Sequence, residues 1–108
     1  MIKKWFFNPN LLEKMREKPG MYISFPPYFT GLLHQYMGYK HALYDFAVDS
    51  KELKILNSFN EWLANKVGTD LPPFGWYQII SDREDDDKKR VGMFCDLMIE
   101  YLKENENK

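Results

Sequence analysis

The sequence predicts an all-α protein, a compact bundle of four to five helices that forms one domain over residues 1–108. The first observation is that apolar residues recur at steps of three and four along three long segments, which is the spacing of one helix face. The second is that residues typical of helix ends separate these segments: Asn8-Pro9, Lys18-Pro19-Gly20 and Gly68. The length supports one modest core and no second one.

The first helix is predicted to begin at Asn8, a good N-cap residue, with Pro9 in its first position. It is predicted to end at Lys18, because a residue before proline avoids the α region and Gly20 tolerates a left-handed turn. Its apolar stripe is Leu11, Leu12 and Met15.

A loop rich in proline and aromatic residues covers 18–30, and a second helix is predicted from Thr30 to about Val48. In the loop, Met21-Tyr22-Ile23 is expected to pack on the core. Asp49 and Glu52 have the spacing of a capping box and predict the start of a third helix, which Gly68 ends. The second and third helices are expected to be antiparallel because their link is so short. Their apolar faces are Leu32, Leu33, Tyr36, Tyr39, Leu43, Phe46 and Ala47, then Leu53, Ile55, Leu56, Phe59, Trp62, Leu63 and Val67.

Residues 76–80 are less decisive, since so short an apolar run fits a strand or a helix. The spacing of Trp76, Ile79 and Ile80 favours a short helix. The last helix follows an acidic stretch, which suits the positive end of a helix dipole. Its apolar face is Val91, Phe94, Cys95, Met98, Tyr101 and Leu102.

Composition excludes several classes of protein. A net charge of −1 lacks the excess of lysine and arginine usual in nucleic-acid-binding domains. No apolar run approaches the ~18 residues that span a bilayer, and the single cysteine fits a reducing cytoplasm. We therefore expect a cytoplasmic protein with neither a nucleic-acid nor a membrane partner. Aromatic residues make up 17% of the chain, more than a small core hides, so some rings should be exposed.

No constellation of catalytic residues emerges, and we expect neither an enzyme nor a cofactor or metal site. His34 and His41 are seven positions apart on one helix, which puts their Cα atoms roughly 10 Å apart, too far for one metal ion without a third element. Cys95 lies on an apolar face with no basic neighbour to activate it, so it is predicted to be a core residue.

The loop "KPGMYIS" and the following "TGLLHQYMGYKHALYDFA" resemble the start of the ATPase domain of type II topoisomerases such as the gyrase B subunit. The matched residues are Lys18, Pro19, Gly20, Met21, Tyr22, Ile23, Gly31, Leu32, His34, Asp45 and Ala47. That family uses a Glu to activate water and an Asn to hold magnesium. Gly38 and Ala42 stand at these positions here, so ATP hydrolysis is not expected.

Nearly the whole chain resembles a loose group of small bacterial proteins that begin with Arg/Lys-Pro-Gly-Met-Tyr. The further residues that carry the resemblance are Phe59, Trp62, the run Gly75 to Ile80, Phe94 and Leu97, whereas Lys18 and Ser24 depart from the Arg and Gly of the pattern. The resemblance implies a cytoplasmic immunity protein or antitoxin, which neutralises a toxin, for example a nuclease, by covering its active site.

Two segments are candidate partner-binding sites. The acidic residues Asp82, Glu84, Asp85, Asp86 and Asp87 either form a solvated helix start or imitate phosphates and dock on a basic toxin domain. Aromatic residues supply binding area at little entropic cost, which makes candidates of Tyr22, Phe25, Tyr28, Phe29 and Trp76. The alternative hypothesis is a structural or regulatory protein without catalytic activity that associates with itself, for example as a homodimer.

Overall fold

A computed structural model describes residues 5–46 and 50–106. Its five helices are α1 (Pro9–Glu17), α2 (Tyr28–Phe46), α3 (Lys51–Val67), α4 (Gly75–Arg83) and α5 (Asp87–Glu106), and a 3₁₀ turn, Pro19–Met21, follows α1. No strand occurs within the described ranges. The predicted all-α fold is confirmed, and so is the short helix predicted over residues 76–80.

Local signals placed the start of α1 and the end of α3 correctly. The Asn8 side chain accepts a hydrogen bond from the Leu11 backbone N–H at 2.9 Å, and Pro9 is the first helical residue. Gly68 ends α3 with a φ of 75°, and the next N–H, of Thr69, donates to the Ala64 carbonyl at 3.0 Å. In both cases the contacts at the helix end join residues no more than five positions apart in sequence.

Two helix starts differ from the prediction. Helix α2 begins at Tyr28, two positions before Thr30, because a side chain of α5 caps it. The N-cap of α3 is Ser50, whose hydroxyl accepts from the Leu53 N–H at 3.1 Å. Asp49, the predicted cap, lies outside the described residues, as do Ala47 and Val48 at the end of the predicted second helix.

Hydrogen bonds between α2 and α3 confirm that the two helices are antiparallel. The Tyr39 hydroxyl donates to Glu52 at 2.6 Å, and the Tyr36 hydroxyl donates to the Leu56 carbonyl at 2.6 Å. One turn toward the N-terminus of α2, from Tyr39 to Tyr36, therefore corresponds to one turn toward the C-terminus of α3, from Glu52 to Leu56. Glu52 is 8% exposed and accepts a hydrogen bond from Tyr39, so it contributes to the contact between the two helices.

The core is one cluster of buried side chains with Phe94 of α5 at its centre. The Phe94 ring lies 4.6 Å from that of Trp76, 5.8 Å from Phe59 and 6.0 Å from Tyr36, measured between centroids. All six residues of the predicted apolar face of α5 are buried, including Cys95. By contrast, Phe46, predicted on the apolar face of α2, is 89% exposed.

Candidate partner-binding surface

The loop over 18–30 is pinned to the body of the protein at several points. The N–H groups of Tyr22 and Ile23 donate to the Pro19 carbonyl at 3.0 and 2.9 Å. The Gln35 side chain of α2 donates to the Tyr22 carbonyl at 2.8 Å, and Ile23 is 2% exposed. These contacts anchor the loop to the body of the protein on the N-terminal side of Phe25, and the bond from the Gly31 N–H to the Pro27 carbonyl follows on its C-terminal side.

Gly31 allows the loop to lie close against α2. A Cβ at this position would come within 2.6 Å of Cγ2 of Ile23, closer than side chains normally approach. The glycine thus explains how Ile23 reaches the core so near the start of the helix. Pro26 and Pro27, which complete the path, are joined by a cis peptide bond.

The candidate aromatic residues divide by exposure. Phe25 is 78% exposed and Met21 is 71% exposed, so Met21 does not pack on the core as predicted. Tyr22 and Tyr28 are half-buried. Phe29 and Trp76 are buried, and Phe29 stacks on Tyr77 with 4.9 Å between ring centroids, so neither Phe29 nor Trp76 offers its ring to the surface. The predicted exposure of some rings is confirmed, and among the candidate aromatic residues Phe25 is the most exposed.

A cavity of about 340 Å³ adjoins Phe25. Its walls come from the loop and from the first turns of α2, and include Ile23, Thr30, Gly31 and His34. An exposed ring beside a concave surface is a common arrangement at the centre of protein interfaces. We use the name loop face for Met21, Phe25 and the walls of this cavity.

Asp87 of the acidic segment 82–87 has a structural role. Its two carboxylate oxygens accept hydrogen bonds from the backbone N–H groups of Tyr28 at 2.6 Å and Phe29 at 2.9 Å. A carboxylate is well suited to this position because it satisfies unpaired N–H groups and faces the positive end of the helix dipole. Asp87 therefore caps α2 from the first position of α5.

Two more acidic residues shape the turn between α4 and α5. The Asp86 carboxylate accepts from the Lys89 N–H at 2.9 Å, and Glu84 accepts from the Asp86 N–H at 3.0 Å. Arg90 closes the turn by donating to the backbone carbonyls of Glu84 and Ser81. Three of the five acidic side chains thus hold local structure, while Asp82 and Asp85 are exposed.

The charge of the acidic segment is largely balanced by neighbours. Its five carboxylates stand in one stretch of sequence with four cations, Arg83, Lys88, Lys89 and Arg90. A surface that imitates a row of phosphates would carry a clear negative excess. This balance favours the predicted solvated helix start over phosphate mimicry.

The fold joins the two predicted partner-binding segments at one end of the bundle. The hydrogen bonds from Tyr28 and Phe29 to Asp87 connect residues 59 and 58 positions apart in sequence. The hydroxyls of Thr30 and Tyr77 lie 2.9 Å apart and add a second tie between α2 and α4. The loop and the start of α5 are thus parts of one continuous structure.

The residues considered for catalysis differ in their exposure to solvent. His34 and His41 are exposed, and no group of three or more His, Cys, Asp or Glu side chains could hold a metal ion in residues 5–46 and 50–106. Cys95 is buried, and burial raises the pKa of its thiol to about 12, which suppresses the nucleophilic thiolate. None of the helices in the described part of the chain is long and apolar enough to cross a membrane.

The structure also has a second exposed apolar surface that the sequence analysis missed. Met37 is 50% exposed, Tyr44 is 65% exposed and Phe74, before α4, is 74% exposed. A cavity of about 350 Å³ lies between the second half of α2 and α3, and a second of about 220 Å³ extends to Phe74. We call this surface the α2 groove. The sequence pattern that could have predicted this surface is the recurrence of Leu33, Met37, Lys40 and Tyr44 at steps of four and three, which places them on one face of α2.

Comparison of the chain with protein-family models, with curated proteins and with solved structures gave no match.

Proposed function

We propose that this is a protein-binding protein without catalytic activity, and that it acts as an immunity or antitoxin-type inhibitor by covering the active site of a toxin. The observation that carries the proposal is Phe25, which is 78% exposed on a loop anchored on both sides by hydrogen bonds. Burying such a ring on binding is favourable, and anchoring of the flanking segments reduces the conformational entropy that binding must remove.

The arrangement of charge supports an interface centred on apolar contacts. Asp82 and Asp85 are exposed and free to meet cations of a partner at the edge of the interface. Asp87 already serves α2, so it adds no free charge to the surface. We expect the exposed carboxylates to speed association at low salt and the loop face to provide most of the affinity.

A toxin inhibited in this way needs an active site whose surface is complementary to the loop face. Its active site must present an apolar recess that receives Phe25, with cations placed to meet Asp82 or Asp85. The immunity role itself comes from the resemblance to the small bacterial proteins described above, and a toxin of this kind would be neutralised by a stoichiometric complex.

The test begins with affinity capture from native lysate at low and high salt, using wild type, Phe25→Ser and Leu71→Ser. Leu71 is 51% exposed and lies outside the loop face, so it controls for loss of any exposed apolar residue. We expect one partner to be captured by wild type and Leu71→Ser and lost with Phe25→Ser. The purified partner should then lose its activity on adding one equivalent of wild-type protein. Equal capture by all three proteins would contradict the assignment of the loop face.

A second candidate function, self-association as a structural or regulatory protein, is favoured by the exposed apolar side chains of α2. Tyr44 and Phe46 are 65% and 89% exposed near the end of that helix. Sedimentation over a range of protein concentrations tests it. Oligomers that form independently of salt and disappear with Tyr44→Ser would favour this function over the inhibitor.

A further inference from the structure

The α2 groove lies on a different stripe of α2 from the loop face. The charge contributed by its described lining residues is positive. The residues that line its two cavities include Lys40, His41, Asn57 and Asn60, and none of the described lining residues is a carboxylate. Lys40 lines both cavities, so it stands where they join. The groove thus has apolar walls and a cation at its middle.

Lys40 is half-buried with an unusual environment for a lysine. Its ammonium lies 5.6 Å from the centroid of the Tyr36 ring, and burial lowers its pKa. The ion pairs found in the described part of the chain join Arg16 to Asp96 and Lys66 to Glu100, and neither involves Lys40. Among the described residues no carboxylate forms an ion pair with Lys40, and a partly desolvated cation of this kind would be stabilised by an incoming anion.

The length of the groove matches a short helix. Leu33, Met37, Lys40 and Tyr44 lie on one face of α2, and the eleven-residue step from the first to the last spans roughly 16 Å. Three turns of a second helix cover the same length. Exposed Met37 and Tyr44 would pack against apolar residues of that helix at steps of three and four.

A second copy of this chain fits the groove less well. In a symmetric pair of α2 helices packed through this stripe, the midpoint would fall between Met37 and Lys40. Lys40 of each copy would then lie opposite Met37 of the other, with the two Lys40 residues about one helical turn apart along the axis, and none of the described lining residues supplies a carboxylate to either ammonium. Charge complementarity therefore favours a different chain that brings a carboxylate.

We propose that the α2 groove binds an amphipathic helix of a partner protein, with a Glu or Asp at its centre that pairs with Lys40 and with apolar residues on either side. This surface is distinct from the loop face and goes beyond the inhibitor function proposed above. The partner helix lies along α2 in the groove, and its carboxylate pairs with the Lys40 ammonium.

The test uses stapled helical peptides of about 16 residues with leucines along one face and Glu, Gln or Lys at the centre. Binding to the full chain is measured by fluorescence anisotropy, with wild type, Lys40→Met and Lys40→Glu. Lys40→Met keeps the apolar stem, and Lys103→Met on exposed α5 surface is the matched control. We expect wild type and Lys103→Met to bind the Glu peptide about tenfold more tightly than the Gln peptide.

The same preference should vanish in Lys40→Met and reverse toward the Lys peptide in Lys40→Glu. Amide chemical shifts should change at Met37, Tyr44 and Phe74 on binding. The proposal is overturned by equal affinity for the Glu and Gln peptides, by no binding of any peptide, by shifts located elsewhere, or by a dimer that already covers the groove. Lys40→Met should still capture the partner of the loop face, so failure here is distinct from failure of the inhibitor function.

Discussion

Gly75 shows how a single residue position depends on a distant side chain. It begins α4 with a φ of 56°, and its backbone neighbour, the Trp76 N–H, donates to Oδ1 of Asn60 at 2.7 Å. A Cβ at Gly75 would overlap the Asn60 side chain. We expect Gly75→Ala to lower the free energy of unfolding by about 2 kcal/mol, from left-handed strain and loss of the Asn60 cap.

Gly38→Ala is the control for that substitution. Gly38 lies within α2, and a Cβ there meets no atom within 4 Å. Alanine should raise the free energy of unfolding by about 0.5 to 1 kcal/mol, because glycine is the poorer helix former. Urea denaturation measures both variants. If Gly75→Ala were as stable as wild type, the positive φ and the contact with Asn60 would not constrain this position.

Buried tyrosine hydroxyls predict how stability depends on pH. Burial raises the pKa of Tyr39 to about 12, and the hydrogen bond to Glu52 adds to the effect; burial also raises the pKa values of Tyr36 and Tyr101. In the unfolded chain a tyrosine titrates near pH 10. The unfolded state therefore loses protons at a lower pH than the folded state, and the stabilisation is full below about pH 10 and lost above it.

Urea midpoints measured for wild type and Tyr39→Phe between about pH 8 and pH 12 test this linkage. The fall in stability above about pH 10 should be shallower in Tyr39→Phe. Burial lowers the pKa of Lys40, which acts in the opposite direction, but this contribution is shared by both proteins and leaves the difference to Tyr39. Identical slopes would show that the pKa of Tyr39 is the same in the folded and unfolded states.

At the level of elements, Asp87 connects the start of α5 to the start of α2. It accepts two backbone hydrogen bonds at 2.6 and 2.9 Å. We expect Asp87→Ala to lower the free energy of unfolding by about 1 to 3 kcal/mol, because two N–H groups of α2 lose a charged partner. The matched control is Asp82→Ala, at an exposed position of the same acidic segment, which should change stability by less than about 0.5 kcal/mol.

Equilibrium urea unfolding of these two variants decides what the acidic segment does. A similar small effect for both variants would mean that the hydrogen bonds from α2 to Asp87 do not stabilise the fold, and that Asp87 behaves as a solvated surface residue. A large effect for Asp87→Ala alone would mean that any loss of partner binding in this variant reflects a displaced loop. Partner contacts should therefore be tested with Asp82→Asn and Asp85→Asn.

Helices whose ends are made by neighbouring residues could be predicted from the sequence. The Asn8 cap acts over three residues, and Gly68 requires only its own backbone. The start of α2 could not be predicted, because Asp87 reaches it across 59 residues; α4 was predicted from its apolar spacing alone, without the cap that Asn60 supplies across 16 residues. No local pattern contains that information, so the prediction for α2 began at Thr30, the first local cap residue.

For the whole molecule, aromatic content predicted that some rings are exposed but not which ones. The loop places Phe25 in solvent and Phe29 in the core, although only three residues separate them in sequence. The difference arises from the path of the loop, which is fixed by Ile23, Gly31 and the distant Asp87. The α2 groove could not be predicted for the same reason. Its walls combine residues of α2 with Phe74, which follows α3 in sequence, and no local pattern places them together.

Phe94 and Phe25 give opposite predictions for the same substitution. Phe94 is fully buried and meets rings from α2, α3 and α4, whereas Phe25 is 78% exposed. Phe94→Ala should cost about 3 to 5 kcal/mol, a large share of the roughly 5 to 15 kcal/mol typical of a domain. Its near-UV circular dichroism should weaken more than the far-UV signal, since ring packing is lost before helices.

Phe25→Ala should leave the free energy of unfolding within about 0.5 kcal/mol of wild type, because its ring makes little contact with the core. It should nevertheless abolish capture of the partner through the loop face. Thermal unfolding and capture, measured on both variants, separate the ring that stabilises the fold from the ring that binds. If Phe25→Ala unfolded as readily as Phe94→Ala, its loss of binding would report an unfolded protein, and the loop face would lose its main support.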